Sequence, residues 1–412
     1  QTEGSSTGQE TEPAQEAQGE SGQKEDIVLS YWAQWSENET QAQVLKAAIS
    51  RFEENNPGCK VEVNWAGRDV RDILRSSIDS GNKIDIVEGD FSKITGNLGE
   101  DYLMDLTPYM EGTEFESSIT EGMASFAKSY TSDGKSWYYI PSQPFVGTLF
   151  YNKAIFAEAG IDKMPATWDE FLAACQTMVD KGYQPLALDS AYADFTFGYH
   201  LDRVIGEKAI SDLAVNGGWS KNEGVVKAAQ QIIDFVKAGY LADGAPDEYP
   251  SSQNKIGLTG KVAMVVCANY VAPEVNNNSG TEINWGMFNY PAVEGGADPS
   301  NAYAGANSLA ITKYSENAQA AFDFLMFLTS GEFDQKMADT ADQIPADPSN
   351  TAPAIMSGTV EALVATKAPL SWNMGLNDNS ELKTSFKDII ISLYEGKYAT
   401  GEDFAAAMDA LY

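Results

Sequence analysis

The chain has 412 residues, with 60 acidic and 27 basic side chains, a single histidine and a formal net charge of −33. A chain this acidic repels phosphate backbones, so we expect no nucleic-acid partner. Because His200 is the only histidine, a histidine-rich metal site is excluded, and catalysis of the Ser-His-Asp or Cys-His type would depend on this one residue. The sequence contains no dinucleotide-binding, Walker or calcium-loop motif, so we predict no cofactor and no metal.

The first 26 residues differ in composition from the rest of the chain. They contain no leucine, isoleucine, valine or aromatic residue, and they carry seven acidic residues and one lysine. Such a segment cannot bury enough apolar surface to offset the entropy lost on ordering, so we predict a disordered acidic tether over 1–26. No signal peptide and no run of about 18 apolar residues is present.

From residue 27 onward, strand and helix patterns alternate. Apolar runs and period-two alternation predict strands, and apolar residues at helical spacing predict helices. The order is strand, helix, strand, helix, strand, over residues 27–32, 39–54, 60–65, 69–80 and 84–87. This order is typical of βαβ units and therefore of an α/β fold.

The second half repeats this style. Thr167 and Glu170 form a capping box, which predicts the start of a helix that ends at Gly182. The remaining predicted strands cover 147–151, 186–188, 262–266 and 309–311, and the remaining helices cover 153–160, 224–238, 318–328 and a C-terminal part from 381 to 411. The three cysteines lie far apart, so we predict small buried residues and no disulfide framework: Cys59, Cys175 and Cys267.

Five blocks of this sequence carry a family resemblance. They are Tyr31-Trp32 followed by 52–58 (FEENNPG), 147–153 (GTLFYNK) followed by 167–171 (TWDEF), 260–264 (GKVAM), Leu309-Ala310-Ile311, and 320–330 (AAFDFLMFLTS). In this order and spacing, over about residues 27–412, the chain resembles the extracellular solute-binding proteins of ABC sugar importers, the maltose-binding-protein-like group.

The resemblance implies a two-lobed α/β fold of the periplasmic-binding-protein type II, with a central cleft and discontinuous lobes. We expect the N-terminal lobe to contain 27–143 and 305–345, and the C-terminal lobe to contain 146–300 and 347–412. The hinge crossings would then lie near 142–145, 301–305 and 344–346. A ligand that contacts both lobes favours the closed state, which is presented to a membrane permease.

A sugar presents an apolar C–H face edged with hydroxyls, so its binder needs aromatic platforms and planar polar groups. In open α/β lobes, ligands lie beyond the carboxyl ends of strands. Residues that follow the predicted strands or lie near the crossings are therefore our candidate ligand contacts: Trp32, Gln34, Trp35, Glu88, Asp90, Phe91, Gln143, Asp189, Phe195, Asn269, Tyr270, Gly305, Asn307, Trp372 and Asn373.

Each candidate also has an ordinary structural explanation. Asp90 and Asp189 could simply cap helices. We favour a binding role for Tyr270, which stands where the family often carries a stacking tryptophan, and for Trp372. His200 is expected to be a packing residue, and Trp65, Trp137, Trp219 and Trp285 are expected to be structural.

The function implied is capture of an oligosaccharide by a monomeric extracellular protein, not catalysis. We lean to an α-linked ligand of the malto- or raffinose type, with a β-linked plant oligosaccharide as the alternative. A glycoside hydrolase that uses two carboxylates is the alternative from another class. The acidic segment leads us to expect an exported protein, either periplasmic or anchored to the surface by a lipidated cysteine before Gln1.

Overall fold

The computed structural model describes residues 26–412. The predicted tether therefore lies outside the described residues, except for Asp26. In this part of the chain, strands form one mixed sheet in the order β2-β1-β3-β8-β4-β6-β5, and β7 pairs with β4. The strands are β1 (Ile27–Ala33), β2 (Cys59–Trp65), β3 (Ile86–Asp90), β4 (Ile140–Asn152), β5 (Gln184–Ala187), β6 (Val262–Ala268), β7 (Trp285–Phe288) and β8 (Tyr303–Ile311).

Helices connect most of these strands. They are α1 (Thr40–Asn55), α2 (Val70–Asp79), α3 (Phe91–Asn97), α4 (Gly99–Tyr102), α5 (Thr107–Met110), α6 (Glu114–Ser118), α7 (Glu121–Ser129), α8 (Lys153–Glu158), α9 (Trp168–Asp180), α10 (Ala193–Ile205), α11 (Glu207–Asn216), α12 (Glu223–Lys237), α13 (Ser251–Leu258), α14 (Val271–Ser279), α15 (Ala318–Thr329), α16 (Gly331–Ala341), α17 (Thr359–Ala365), α18 (Lys383–Tyr394) and α19 (Gly401–Asp409). Short 3₁₀ segments include Ser190–Tyr192, Ala354–Met356 and Trp372–Asp378.

The first βαβ units form as predicted. Strand β1 pairs in parallel with β2 and with β3. Its buried side chains alternate, as expected for a strand. The apolar stripe of α1 packs on the sheet and on α15, where the ring centroids of Phe52 and Phe324 are 5.1 Å apart. This burial explains why the 39–54 pattern becomes a helix despite an N-cap without a side-chain hydrogen bond.

Two large hydrophobic cores lie along the sheet, and a smaller third core accompanies the second. The chain leaves the first core after Val146 and enters the second core at Leu149. It returns to the first core between Val293 and Ala302. The last change falls between Leu363 and Leu370. The described chain is thus two-lobed, with each lobe built from separate stretches. The exact lobe boundaries that we expect from the sequence remain a prediction.

Strands β4 and β8 connect the two cores. Ile140 of β4 belongs to the first core and Leu149 to the second. The two strands pair antiparallel, and their register shifts between Ser142 and Phe145. Gln143 lies inside this bulge with a φ of 45°, a left-handed conformation that is uncommon for a residue other than glycine.

Several boundaries differ from the sequence predictions. Strand β3 begins at Ile86 and extends to Asp90, so Glu88 lies within the strand and not after it. Strands β4 and β8 are longer than predicted. Strand β4 continues from the first core into the second, and β8 pairs with it from Tyr303, which packs against the second core. The C-terminal part, predicted as helical throughout, is two helices separated by residues 395–400.

Other local predictions are confirmed. The capping box is present: Glu170 N donates to Thr167 Oγ1 at 3.2 Å, and Thr167 N donates to Glu170 Oε2 at 3.3 Å. All three cysteines are free and buried. Trp137, Trp219 and Trp285 are at most 1% exposed, as expected for structural residues.

Candidate functional site

A solvent-open cavity of about 330 Å³ lies between the two cores. Its walls come from the end of β3, the start of α3, the C-terminal part of α7, strand β8 and residues 369–372. The lining residues are Asp90, Phe91, Ser92, Phe126, Ser129, Tyr130, Phe145, Glu207, Tyr303, Ala304, Gly305, Ala306, Pro369, Leu370, Ser371 and Trp372. Four predicted contacts thus meet in one cavity: Asp90, Phe91, Gly305 and Trp372.

Trp372 forms a half-buried aromatic platform on one wall. Its ring stacks on Phe195, with centroids 4.1 Å apart and planes 16° from parallel, and its centroid lies 5.2 Å from that of Tyr303 in a T-shaped arrangement. Phe195 itself is fully buried. The predicted contact at Phe195 is therefore placed beneath Trp372, where it supports the platform and does not line the cavity.

The segment that carries Trp372 is held in an unusual conformation. Asn373, Met374 and Gly375 all have positive φ values. The predicted contact Asn373 is buried, and its Nδ2 donates to Asp194 Oδ2 at 2.7 Å. A Cβ atom at Gly375 would lie 2.9 Å from the backbone nitrogen of Ser211, so only glycine allows this close approach to α11. These contacts hold the backbone that follows Trp372 close to α10 and α11.

The wall from the first core is also aromatic. The ring centroids of Phe91 and Phe126 are 4.7 Å apart, and Tyr130 lies 5.1 Å from Phe91 and 5.2 Å from Phe126. Tyr130 is 37% exposed, whereas Phe91 is nearly buried. Phe126 and Tyr130 lie on or just after α7, far from any strand end in sequence, so the search at strand ends missed them.

Two carboxylates line the cavity. The predicted residue Asp90 caps α3, because its Oδ1 accepts hydrogen bonds from Lys93 N at 3.0 Å and Ser92 Oγ at 2.8 Å. Glu207, which was not predicted, accepts a hydrogen bond from Ser371 N at 2.8 Å. It begins α11, directly after Gly206 ends α10, and a junction between two helices gave no signal for a site.

Strand β8 forms the floor between the walls. Gly305 pairs with Phe145, and a Cβ atom there would lie 3.3 Å from Phe126 Cζ. Asn307 pairs with Asp90 on one side and with Ser142 on the other. The predicted residues of this strand therefore lie at the junction of β3, β8 and β4, and Asn307 is 7% exposed.

Four other predicted residues form a buried polar group beside the cavity. Glu88 is 2% exposed, and its carboxylate accepts hydrogen bonds from Trp35 Nε1 at 2.9 Å and from Gln34 N at 3.4 Å. Gln143 lines the same small space of about 20 Å³ as Trp35 and Glu88. The side-chain atoms Gln34 Nε2 and Gln143 Oε1 are buried and have no hydrogen-bond partner in the described part of the chain. Trp32 is half-buried against the first core.

The remaining predicted residues follow β5 and β6. Asp189 is buried and accepts hydrogen bonds from Ser252 N at 2.8 Å and Gln253 N at 3.1 Å at the start of α13. Asn269 Oδ1 accepts from Val146 N at 3.1 Å and so ties β6 to β4. Tyr270 is 40% exposed and lies outside the cavity lining.

His200 is a packing residue. It is fully buried, its ring lies 4.3 Å from that of Trp168, and Nε2 lies 2.8 Å from Gln231 Oε1. Burial lowers the pKa of His200 to about 4.

Over residues 26–412, no group of three or more histidine, cysteine, aspartate or glutamate side chains could hold a metal ion. No helix in the same range combines the length and the apolar character needed to cross a membrane.

Two α/β cores connected by one sheet, with an aromatic cavity between them, define a two-lobed ligand-binding fold. The family of bacterial extracellular solute-binding proteins matches residues 36–332. Because this match covers well over half of the chain, the chain belongs to that family, as its sequence blocks predicted.

Individual relatives agree with this assignment. The chain is 25% identical to the multiple sugar-binding protein of Streptococcus mutans over 332 residues, which are 77% of this chain and 74% of the relative. A probable secreted solute-binding lipoprotein from Streptomyces coelicolor superimposes with a TM-score of 0.73 at 16% identity, covering 95% of this chain and 99% of that one. The solute-binding protein RafE in complex with raffinose superimposes with a TM-score of 0.62 at 18% identity, covering 93% and 99%.

The buried carboxyl group of Glu88 should make the stability of the folded protein depend on pH. Burial raises the pKa of Glu88 to about 7, although the hydrogen bond from Trp35 acts in the opposite direction. An unfolded chain has a glutamate pKa near ~4.3, so the folded state binds this proton more tightly. Its stabilising contribution is therefore complete below about pH 4.3 and is lost as the pH rises through about 7, a change of about 4 kcal/mol.

We expect the melting temperature to fall as the pH is raised from 5.5 to 8. Burial raises the pKa values of Asp189, Asp202 and Asp334 to about 6, and these groups act in the same direction. His200, with its pKa lowered to about 4, acts in the opposite direction up to about pH 6.5, but it is one group against four. Glu88→Gln, which cannot ionise, should lose part of this dependence in differential scanning calorimetry. Glu62→Gln on the exposed side of β2 is the matched control and should keep all of it. An unchanged slope in Glu88→Gln would contradict the assignment.

Proposed function

We propose that this protein captures a neutral oligosaccharide between its two lobes and delivers it to the membrane permease of an ABC importer. Family membership supports the capture of an extracellular solute. The names of the relatives support a sugar, because one is a multiple sugar-binding protein and a structural neighbour holds raffinose.

The observation that carries this proposal is the aromatic lining on both sides of one cavity. Trp372 lies on one wall, and Phe91, Phe126 and Tyr130 lie on the other. Aromatic rings match the apolar faces of pyranose units, and the carboxylates of Asp90 and Glu207 can accept hydrogen bonds from sugar hydroxyls. A ligand that touches both walls binds the closed arrangement more tightly than the open one.

The charge of the cavity favours a neutral ligand. No lysine, arginine or histidine is among its lining residues in the described chain, and two carboxylates are. Among the described lining residues, a phosphate or uronate group would meet two carboxylates and no basic side chain. We therefore include neutral sugars and exclude sugar phosphates and uronates from the proposed ligand class.

The linkage is the finer part of the proposal. We favour α-linked sugars of the malto- or raffinose type, with the raffinose-bound neighbour as support. β-Linked plant oligosaccharides are the alternative. Surface anchoring by a lipid is proposed for the same reason as before, the acidic composition of residues 1–26, and the secreted lipoprotein neighbour supports it.

A ligand screen tests the proposal directly. Thermal shift across neutral α-linked and β-linked oligosaccharides, each paired with a uronate-containing analogue, should show stabilisation by a neutral sugar only. At 100 times its Kd, a ligand stabilises by about 2.7 kcal/mol. Chromatography after long incubation should recover the sugar intact. Stabilisation by the anionic analogues would contradict the charge argument, and cleavage products would support the hydrolase alternative.

Removing the Trp372 platform should weaken binding. Stacking a sugar on one ring buries roughly 60–100 Å² at about 25 cal/mol per Å², which corresponds to a ten- to seventyfold change in Kd. Calorimetric titration of Trp372→Ala with the sugar found in the screen measures this change.

Trp168→Ala is the matched control. Trp168 is 5% exposed and contacts the rings of Phe171 and His200 in the second core, so its removal should cost about 3–5 kcal/mol of stability. Trp372 is only half-buried, so its removal should lower the ligand-free melting temperature less. If Trp372→Ala loses as much stability as Trp168→Ala and keeps its Kd, the ring has a structural role only.

Closure is measured by small-angle X-ray scattering. The cavity is open to solvent and its walls belong to different cores, so a saturating sugar should draw the lobes together and reduce the radius of gyration. Glucuronic acid at the same concentration is the control and should leave the curve unchanged. Superimposable curves with and without a bound neutral sugar would contradict the hinge mechanism.

A further inference from the structure

Helix α10 adjoins the segments in which the chain passes from one core to the other. These three passages are residues 147–148, 294–301 and 364–369, which lie between a member of one core and the next member of the other. Two fully buried side chains of α10, Tyr199 and Arg203, face them. The two residues lie about one helical turn apart, and the guanidinium carbon of Arg203 is 5.3 Å from the centroid of the Tyr199 ring.

The hydroxyl group of Tyr199 bonds to both members of one strand pair. Gly147 of β4 and Tyr303 of β8 lie opposite each other in the register. Tyr303 N donates to the Tyr199 hydroxyl at 2.6 Å, and the same hydroxyl donates to Gly147 O. One side chain of the second lobe therefore uses its donor and one acceptor lone pair to hold both connecting strands.

The guanidinium group of Arg203 holds the second passage. Its Nε donates to Tyr290 O at 3.1 Å, and its Nη2 donates to Asn301 O at 2.9 Å and to Asn289 Oδ1 at 3.1 Å. Its Nη1 donates to Asp202 Oδ2 at 2.6 Å, so the buried charge is paired. The planar fork of an arginine reaches several fixed acceptors at once, which the point charge of a lysine does not.

Asn301 extends this hold to the third passage. Its Oδ1 accepts hydrogen bonds from Lys367 N at 3.0 Å and from Ala368 N at 3.1 Å. Beside it, Leu370 N donates to Ala302 O at 3.0 Å. The third passage is therefore tied to the second one, and through Arg203 to α10.

The same helix supports the ligand platform. Phe195 lies beneath the ring of Trp372, and Asp194 accepts the hydrogen bond from Asn373. Asp194 and Phe195 belong to the first turn of α10, which spans Ala193–Ile205. One helix thus connects the platform on the cavity wall with all three passages between the cores.

We propose that Tyr199 and Arg203, which we call the α10 anchor, are positioning residues for lobe closure: they fix the three passages to α10, so that the second lobe turns as one body with its ligand platform. This inference rests on the proposed function. A second lobe that is attached less firmly samples more orientations when no ligand is bound. A ligand that selects the closed orientation must remove this freedom, so it binds less tightly although every residue that it touches is unchanged.

Tyr199→Phe tests the anchor, because it removes one hydroxyl group and keeps the ring in the core. Calorimetric titration with the neutral sugar found in the screen should give a Kd about three- to tenfold higher, the range that corresponds to one hydrogen bond. Scattering curves of the variant and the unaltered protein should differ without sugar and superimpose at saturating sugar, because only the unliganded state is loosened. A merely structural role would lower the melting temperature and leave the Kd and the unliganded curve unchanged.

Arg203→Lys is the second variant, and it should raise the Kd at least as much. If the buried lysine prevents folding, Tyr199→Phe alone decides the proposal.

Tyr240→Phe is the matched control. Tyr240 is a buried tyrosine of the second core, and its hydroxyl donates to Gln176 Oε1 at 2.9 Å, outside the three passages. The variant also loses one hydrogen bond, but it should keep the Kd and both scattering curves. An unchanged Kd in Tyr199→Phe, or an equal increase in Tyr240→Phe, overturns the anchor while the proposed function stands. Absence of sugar binding by the unaltered protein overturns the proposed function, and this inference with it.

Discussion

The antiparallel pairing of β4 with β8 is the constraint on which the rest of the structure depends. Strand β4 runs from the first core into the second, β8 pairs with it and begins at Tyr303 against the second core, and the groups that surround the cavity are placed relative to these two strands. Asp90 pairs with Asn307, Gly305 pairs with Phe145, and the ring of Tyr303 contacts that of Trp372. Because backbone hydrogen bonds span both lobes, the two walls share one floor, and the bulge at Gln143 is the irregularity within it.

The overall architecture could be predicted from the sequence because it depends on hydrophobic periodicity and on short local signals. The βαβ order of the first lobe, the Thr167 capping box and the buried run of β6 all follow from patterns within a few residues. The full length of the longer strands could not be predicted from the sequence, because β4 and β8 continue through polar residues such as Ser142 and Asn307. Pairing partners on both sides keep these residues in the strand, and no local pattern reports such partners.

For the candidate site, too, residues identified by local sequence patterns were predicted, and residues that only the fold brings to the cavity were not. Asp90 and Trp372 line the cavity, and both were among the predicted contacts, Asp90 because it follows a predicted strand and Trp372 because of the family resemblance. Glu207, Phe126 and Tyr130 were missed because they belong to helices that only the fold brings to the cavity. Glu88 was expected at a strand end, but β3 extends past it, and the residue is buried. The sequence pattern indicates which residues lie near the cleft, but it does not indicate which side chains point into it.

The cysteines have a practical consequence for following lobe movement. Cys59, Cys175 and Cys267 are all free and at most 7% exposed, and burial raises the pKa of each thiol. Alkylating reagents act on the thiolate at an accessible sulfur, so the described chain offers them little in its folded state. A single cysteine introduced at the rim of the cavity would react selectively, and a fluorophore attached there would report the environment of the cleft in an otherwise unlabelled protein.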